Sequence, residues 1–375
     1  MNALTIHFAA LLANAAAPAS PPSDTATTSP PPEPAARSAS QMLQEGFSMK
    51  SRDERHVLKI GFLGQVRATV RGSDGQPTSG VDVHLARPVL EGHLFDGRVV
   101  ARLMPEFAGG PPRVLDASVV VTPHESIEIE AGQFRPWISR GFRTGLPVQA
   151  LADRGAVVGA FRIDRDVGVS VGGHPLDGRL EYYVGVYNGD GPGSTQVQQS
   201  PLVTARIVVA PLGRVGYDQA PYLRDSGKPG IAIGLGAYTR RYRTDAAHAP
   251  TATAKAPIDT VDELGASADL AGHWGRFAVT SEGFWRRRVT SLATSDSWGA
   301  YGQGSVLLVP HRLDIAARVG SIVVDHEVSL PIEGGLGVYL ADHHAKIQAV
   351  YGYTHPVHHH GTPVHTGLLQ AQLSF

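Results

Sequence analysis

Five arginines fall in one stretch, RPWISRGFRTGLPVQALADRGAVVGAFRID: Arg135, Arg140, Arg143, Arg154 and Arg162. Guanidinium is a planar fork of donors that grips a carboxylate or phosphate through two bonds at once, whereas an ammonium is a point charge. The whole chain leans the same way, since its 33 basic residues include five lysines, Lys50, Lys59, Lys228, Lys255 and Lys346. A cluster of this kind suits the binding or passage of oxyanions. It needs no metal, nucleotide or other cofactor. Trp137, Ile138, Phe142 and Leu146 are interleaved with the arginines. A segment so apolar is out of place in solvent and is expected to fold into a larger body, narrowing whatever space it enters. The other reading is a lid on an outer surface whose arginines meet lipid phosphates.

The elements that must hold this stretch are written in period two. In KIGFLGQVRATVR, Gln65, Arg67, Thr69 and Arg71 share one parity while Phe62, Val66, Ala68 and Val70 share the other. That is a strand with one wet and one apolar face. About sixteen such segments follow one another, from the first through GVDVHLARPVL and RLEYYVGVYNG to the closing HTGLLQAQLSF, and helix signals are nearly missing. The expected fold is all-β, a transmembrane antiparallel β-barrel of about 16 strands with an inward-folded constriction loop. Closure explains why the chain can stop on a strand ending in Phe375, because the last strand then has the first as its partner.

The connections support this. HLFDG, TPHE, HPLDG, VPH and ADHH are short, whereas DGPGSTQVQQS, TDAAHAPTATAKAPIDTVD and THPVHHHGTPVH are long and polar. Short turns on one rim and long loops on the other are the habit of outer-membrane barrels, and a soluble sandwich or propeller does not predict them. LGRVGYDQAPYLRDSGKPG is long where a short turn belongs, and the sequence offers no reason. Phe62, Phe107, Tyr187, Trp274, Trp285, Trp298, Tyr301, Tyr339, Tyr351 and Phe375 lie near segment ends, where an interfacial girdle would sit.

An arginine on the lipid face near the midplane costs about 2–4 kcal/mol. Arg67, Arg102, Arg206, Arg312 and Arg318, on polar-parity positions, are therefore expected to line the lumen, opposed by Glu106, Asp116, Glu128, Glu130, Glu181 and Asp314. A net charge of −1 argues against nucleic-acid binding. No HExxH or P-loop is present, so an enzyme is not expected, although a barrel hydrolase assembling Ser and His from separate strands stays open. His355, His358, His359, His360 and His365 cluster in the last long loop, where imidazoles bind metal or respond to pH. Residues 1–17 read as a signal peptide without a basic n-region, 18–45 as a Pro/Ala/Ser-rich periplasmic linker, and 46–375 as the barrel domain.

Several segments in order resemble the phosphate-selective porins, including the polyphosphate porins. GFSMKSRDERHVLKIGFLGQVRATV is similar to their first strand, GHLFDGRVVARLMPEFAGG to their second hairpin, and RVLDASVVVTPHESIEIEAGQFRPW to the Asp-Ala strand that runs into Gly-Gln-Phe-basic-Pro. DRDVGVSVGG, RLEYYVGVYNGDG and VTARIVVAP resemble the strands that follow the constriction loop. The likeness extends from about Gly46 to Pro211 and is architectural beyond. It implies a homotrimer in the outer membrane of a Gram-negative bacterium, surrounded by outer-membrane lipid and passing phosphate, polyphosphate or other oxyanions. It also implies an arginine ladder to which Arg135 comes by motif, Arg87 by strand position, and Arg140, Arg143, Arg154 and Arg162 by loop position. Five lysines leave no room for the lysine-rich funnel of the phosphate-specific members, so a general diffusion porin is the alternative.

Overall fold

The computed structural model describes residues 47–73, 76–124, 126–194, 200–223, 229–243, 259–357 and 362–375. The expected signal peptide and linker, and His358, His359 and His360, lie outside the described residues. Seventeen strands form one sheet. They are β1 (Phe47–Lys50), β2 (Val57–Ser73), β3 (Gln76–Leu94), β4 (Val99–Glu106), β5 (Arg113–His124), β6 (Ile127–Phe134), β7 (Asp166–Gly173), β8 (Leu180–Tyr187) and β9 (Ser200–Val209). The second half comprises β10 (Gly230–Arg243), β11 (Thr260–Trp274), β12 (Phe277–Val289), β13 (Thr294–Val309), β14 (Leu313–Val324), β15 (Glu327–Ala341), β16 (Ala345–Pro356) and β17 (Val364–Ser374).

Every neighbour is antiparallel, and β17 returns to β2, pairing from Ser374↔Leu63 to His365↔Gly72. The sheet is thereby closed. β1 pairs with the start of β2, from Phe47↔Ile60 to Lys50↔Val57, continuing the line on which β17 ends. Seventeen strands thus occupy sixteen positions around the wall. Phe375 exchanges both backbone hydrogen bonds with Phe62, each at 3.1 Å, and its ring meets Phe47 edge-on at 5.7 Å. The terminal aromatic is the seam between the two strand ends.

The wall is inverted relative to a soluble core. Val66, Val70, Val184, Ile233, Leu235 and Leu369 point outward and are exposed, while Gln65, Glu181, Asp269, Glu282, Asp314 and Gln370 point inward and are buried. Only an apolar solvent outside makes that arrangement favourable. The girdle expectation needs correction at three positions, because Tyr187, Tyr301 and Tyr339 are buried inside the lumen. Phe107, Trp274, Trp298 and Tyr351 are exposed on the outer surface.

Turn chemistry fixes the register of the short rim. LFDG after β3 and PLDG after β7 each take three successive left-handed residues, Phe95, Asp96, Gly97 at φ 54°, 60°, 83° and Leu176, Asp177, Gly178 at 58°, 55°, 75°. Asp-Gly is the pair that tolerates this backbone best. A different glycine matters within the wall. Gly132 of β6 has φ 124°, and a Cβ there would run into the Ala117 carbonyl oxygen. Gly132→Ala combines that overlap with a backbone strain on the order of 1–3 kcal/mol. We expect a lower yield of heat-resistant barrel after refolding in detergent, read as the ratio of folded to unfolded bands on an unheated gel.

Candidate pore constriction

Between β6 and β7 the chain leaves the wall for 31 residues and crosses the lumen, as residues 135–165. It carries two short helices, α1 (Arg140–Arg143) and α2 (Ala156–Phe161). Trp137 is the first anchor, stacked on Tyr183 of β8 at 3.5 Å and 3°, with the Arg143 guanidinium 3.4 Å over its ring. The Ile138 carbonyl then accepts from Arg206 of β9 at 2.8 Å and from Ser267 of β11 at 3.0 Å. Glu282 of β12 receives the backbone N–H groups of Arg140 and Gly141, both at 2.9 Å, which satisfies two of the donors a helix start leaves open.

The loop continues around the wall. Val157 and Phe161 of α2 pack with Phe284 and Tyr301, over Gly299 and Gly320, where side chains would collide with them. Asp153 pairs with Arg67 of β2 at 2.7 Å, and its carbonyl accepts from Arg318 of β14 at 3.0 Å. Lys346 and Gln348 of β16 donate to the Gln149 and Ala150 carbonyls at 2.7 and 2.8 Å. An apolar loop could be read from the sequence as inward; that it would touch nearly every strand of the far wall could not.

A second segment enters from the opposite rim. Residues 211–223, the overlong connection after β9, fold inward to meet the loop. Gln219 donates its N–H to the Val148 carbonyl at 3.1 Å, and its side-chain oxygen accepts from Ala150 at 3.2 Å and from Gln303 at 2.8 Å. Tyr217 bonds Glu181 at 3.3 Å, Asp218 pairs with His343 at 2.9 Å, and Ala220, Tyr222 and Leu223 pack against Ala278, Leu307 and Tyr339. The length of this connection, unexplained by the sequence, thus has a place. The segment and the loop together fill the β10–β16 side.

What stays open runs along β2–β6. One cavity of about 850 Å³ reaches Gly109 and Pro192 at the long-loop rim, and another of about 510 Å³ reaches Lys59 and Phe375 at the short-turn rim. Both are lined by Arg87, Leu146 and Arg154, which therefore stand at the junction. Eight cationic side chains line the two cavities against five carboxylates.

The expected arginines divide accordingly. Arg154 donates to the Thr144 carbonyl at 2.8 Å; burial, with the Arg165 and Arg87 guanidiniums, lowers it to about 10, so it stays charged at neutral pH. Arg135 lines the smaller cavity and holds the Phe142 and Arg143 carbonyls at 2.8 and 3.2 Å. Burial, with the Arg165, Arg154 and Arg143 guanidiniums, depresses it well below the ordinary arginine range. Arg143 donates to the Arg135 carbonyl at 2.7 Å. None of these three makes an ion pair among the described residues. Arg162 lines the larger cavity, half-exposed, 3.9 Å from Asp164. Arg87 pairs with Glu106 at 2.6 Å, and Arg102 with Glu91 at 3.2 Å.

Five positions need correction. Arg140 is not at the junction but sealed against the far wall, paired with Asp269 at 2.9 Å, because α1 docks there. Arg206 faces inward yet is buried on the same Asp269 at 2.7 Å. Arg67 and Arg318 also face inward, but the loop covers them, with Arg318 tied to Glu333 at 2.6 Å. Arg312 has inward parity but falls before β14 begins, and sits exposed in the preceding turn. Two residues went unpredicted. Arg165 lines the larger cavity and pairs with Asp116 at 2.6 Å. Arg113 lines it too, at the start of β5. His355 and His365 lie beside Tyr353, at ring separations of 6.2 and 5.0 Å.

No family model matches the chain, and no curated protein matches it. Solved structures do. The outer membrane channel DcaP of Acinetobacter baumannii is similar with a TM-score of 0.60 at 12% identity, over 87% of this chain and 99% of that one. OmpT, an outer membrane protein of Vibrio cholerae solved in a trimer form, is similar with a TM-score of 0.58 at 13% identity, over 85% and 99%. An anion-selective porin from Comamonas acidovorans is similar with a TM-score of 0.57 at 11% identity, over 85% and 100%. At these identities the likeness is one of fold, and the fold is that of the outer-membrane β-barrel porins.

Proposed function

We propose that the protein is a passive porin of a Gram-negative outer membrane that prefers small anions, oxyanions such as phosphate among them. The observation that carries the reading is the junction of the two cavities, where Arg154 and Arg87 stand and Arg154 has no carboxylate partner among the described residues. An anion entering there exchanges water for guanidinium donors. A cation meets like charge between low-dielectric walls. Arg154 holds a loop carbonyl and Arg87, Arg102 and Arg165 hold wall carboxylates, so these guanidiniums are already partly committed and no one of them is strong enough to trap the ion. Assembly as a homotrimer, which the resemblance to the phosphate-selective porins implies, belongs to this proposal, in keeping with the trimer form of the Vibrio cholerae barrel. The leader expected at residues 1–17 would serve its export.

The test is the reversal potential of single channels in planar bilayers across a potassium chloride gradient. A potential on the chloride side is expected, growing as ionic strength falls because screening weakens. A potential near zero would instead favour the general diffusion porin, its arginines serving only to balance the wall carboxylates.

A further inference from the structure

We propose that, among anions, the junction holds those with an apolar body, such as an aromatic or branched monocarboxylate, more tightly than inorganic phosphate; this rests on the anion preference above. The junction is two-sided. Arg87 and Arg154 present guanidinium on one part of its lining, Arg87 tied to Glu106 at 2.6 Å and Arg154 without an ion pair among the described residues. The rest is Leu146, which packs with Leu63 and Leu85 as a small apolar cluster. Leu85 lines one cavity and Leu63 the other, so the leucine wall runs from one cavity past the junction to the other.

A phosphate carries acceptor oxygens on every side. Shedding water against leucine leaves some of them without donors, which costs free energy that the two arginines only partly return. A carboxylate on a hydrocarbon body has its acceptors at one end. It can face Arg87 and Arg154 while its other end removes apolar surface from water against Leu146. Burying about two methylene equivalents this way corresponds to roughly a tenfold preference.

The experiment measures block of chloride current through the full-length protein in planar bilayers by benzoate, acetate and inorganic phosphate, at mildly acidic pH where phosphate is mostly monovalent. Benzoate is expected to halve the current at about a tenfold lower concentration than phosphate, with acetate close to phosphate. Leu146→Asn, or Leu85→Asn where the first does not assemble, is expected to bring benzoate and phosphate to within about twofold. Phosphate blocking at an equal or lower concentration than benzoate overturns the inference, as does acetate matching benzoate or an unchanged gap in an assembled leucine variant. The parent reading fails separately, by a reversal potential near zero in chloride alone.

Discussion

Replacing residues 212–228 with Asn-Gly is expected to raise single-channel conductance several-fold while the barrel still assembles. The wall does not depend on the segment. Val209 of β9 already pairs with Ile233 of β10, so a tight turn closes the gap in register. The lumen does depend on it. Tyr217, Gln219, Tyr222 and Leu223 occupy volume between β8 and β15, and the groups they touch, Glu181, Gln303 and Ser305 among them, are polar and can be rehydrated at modest cost. Removal also takes from the constriction loop its bonds at Val148 and Ala150, and the Gly216 carbonyl that Arg140 holds at 3.0 Å. Conductance should therefore rise on two counts, by an emptied half-lumen and by a looser loop, with weaker anion preference. Recording in symmetrical potassium chloride gives the first, and the gradient measurement the second. Unchanged conductance in an assembled variant would mean that the segment closes no path that ions use.

The period-two pattern made the barrel readable because the membrane and the lumen impose opposite solvents on alternate residues, and nothing else in the chain competes with that signal. Phe375 was readable for the same reason: an uncapped final strand requires a partner. The inward loop was visible from Trp137, Ile138 and Phe142, apolar residues with no outer surface to cover. The same criterion applied to residues 211–223 would have found Val215, Tyr217, Tyr222 and Leu223, all part of an overlong connection that folds inward. What alternation cannot convey is which lumen arginine remains open to water. Arg206 and Arg140 converge on Asp269 from residues far apart in sequence, whereas Arg154 faces the junction next to Asp153, which is itself tied to Arg67 and Arg318. Parity decides facing; the path of the loop decides access. Arg312 shows the limit from the other side, since a strand that starts one residue later turns an inward position into a turn.

Arg154→Glu is expected to shift the channel from chloride toward potassium preference, by about tenfold or more in permeability ratio. In a water-lined lumen a unit charge about 6 Å from a passing ion contributes on the order of 1–2 kcal/mol. The substitution changes the charge by two units, and each 1.4 kcal/mol is about tenfold in relative permeability. Arg87, Arg135 and Arg165 remain close by and oppose the change, which is why the smaller figure is expected. The substitution also removes the bond to Thr144 and the guanidinium 5.4 Å from the Phe142 ring, so the loop itself could shift. Arg154→Gln separates the two effects: it loses the same guanidinium contact with only one unit of charge, and should move the reversal potential about half as far. Arg312→Glu, on the exposed rim turn, alters the charge of the protein equally and should leave the potential nearly unchanged. A glutamate at position 154 that behaves like the one at 312, in a barrel of normal gel mobility, would place the selective barrier elsewhere in the lumen.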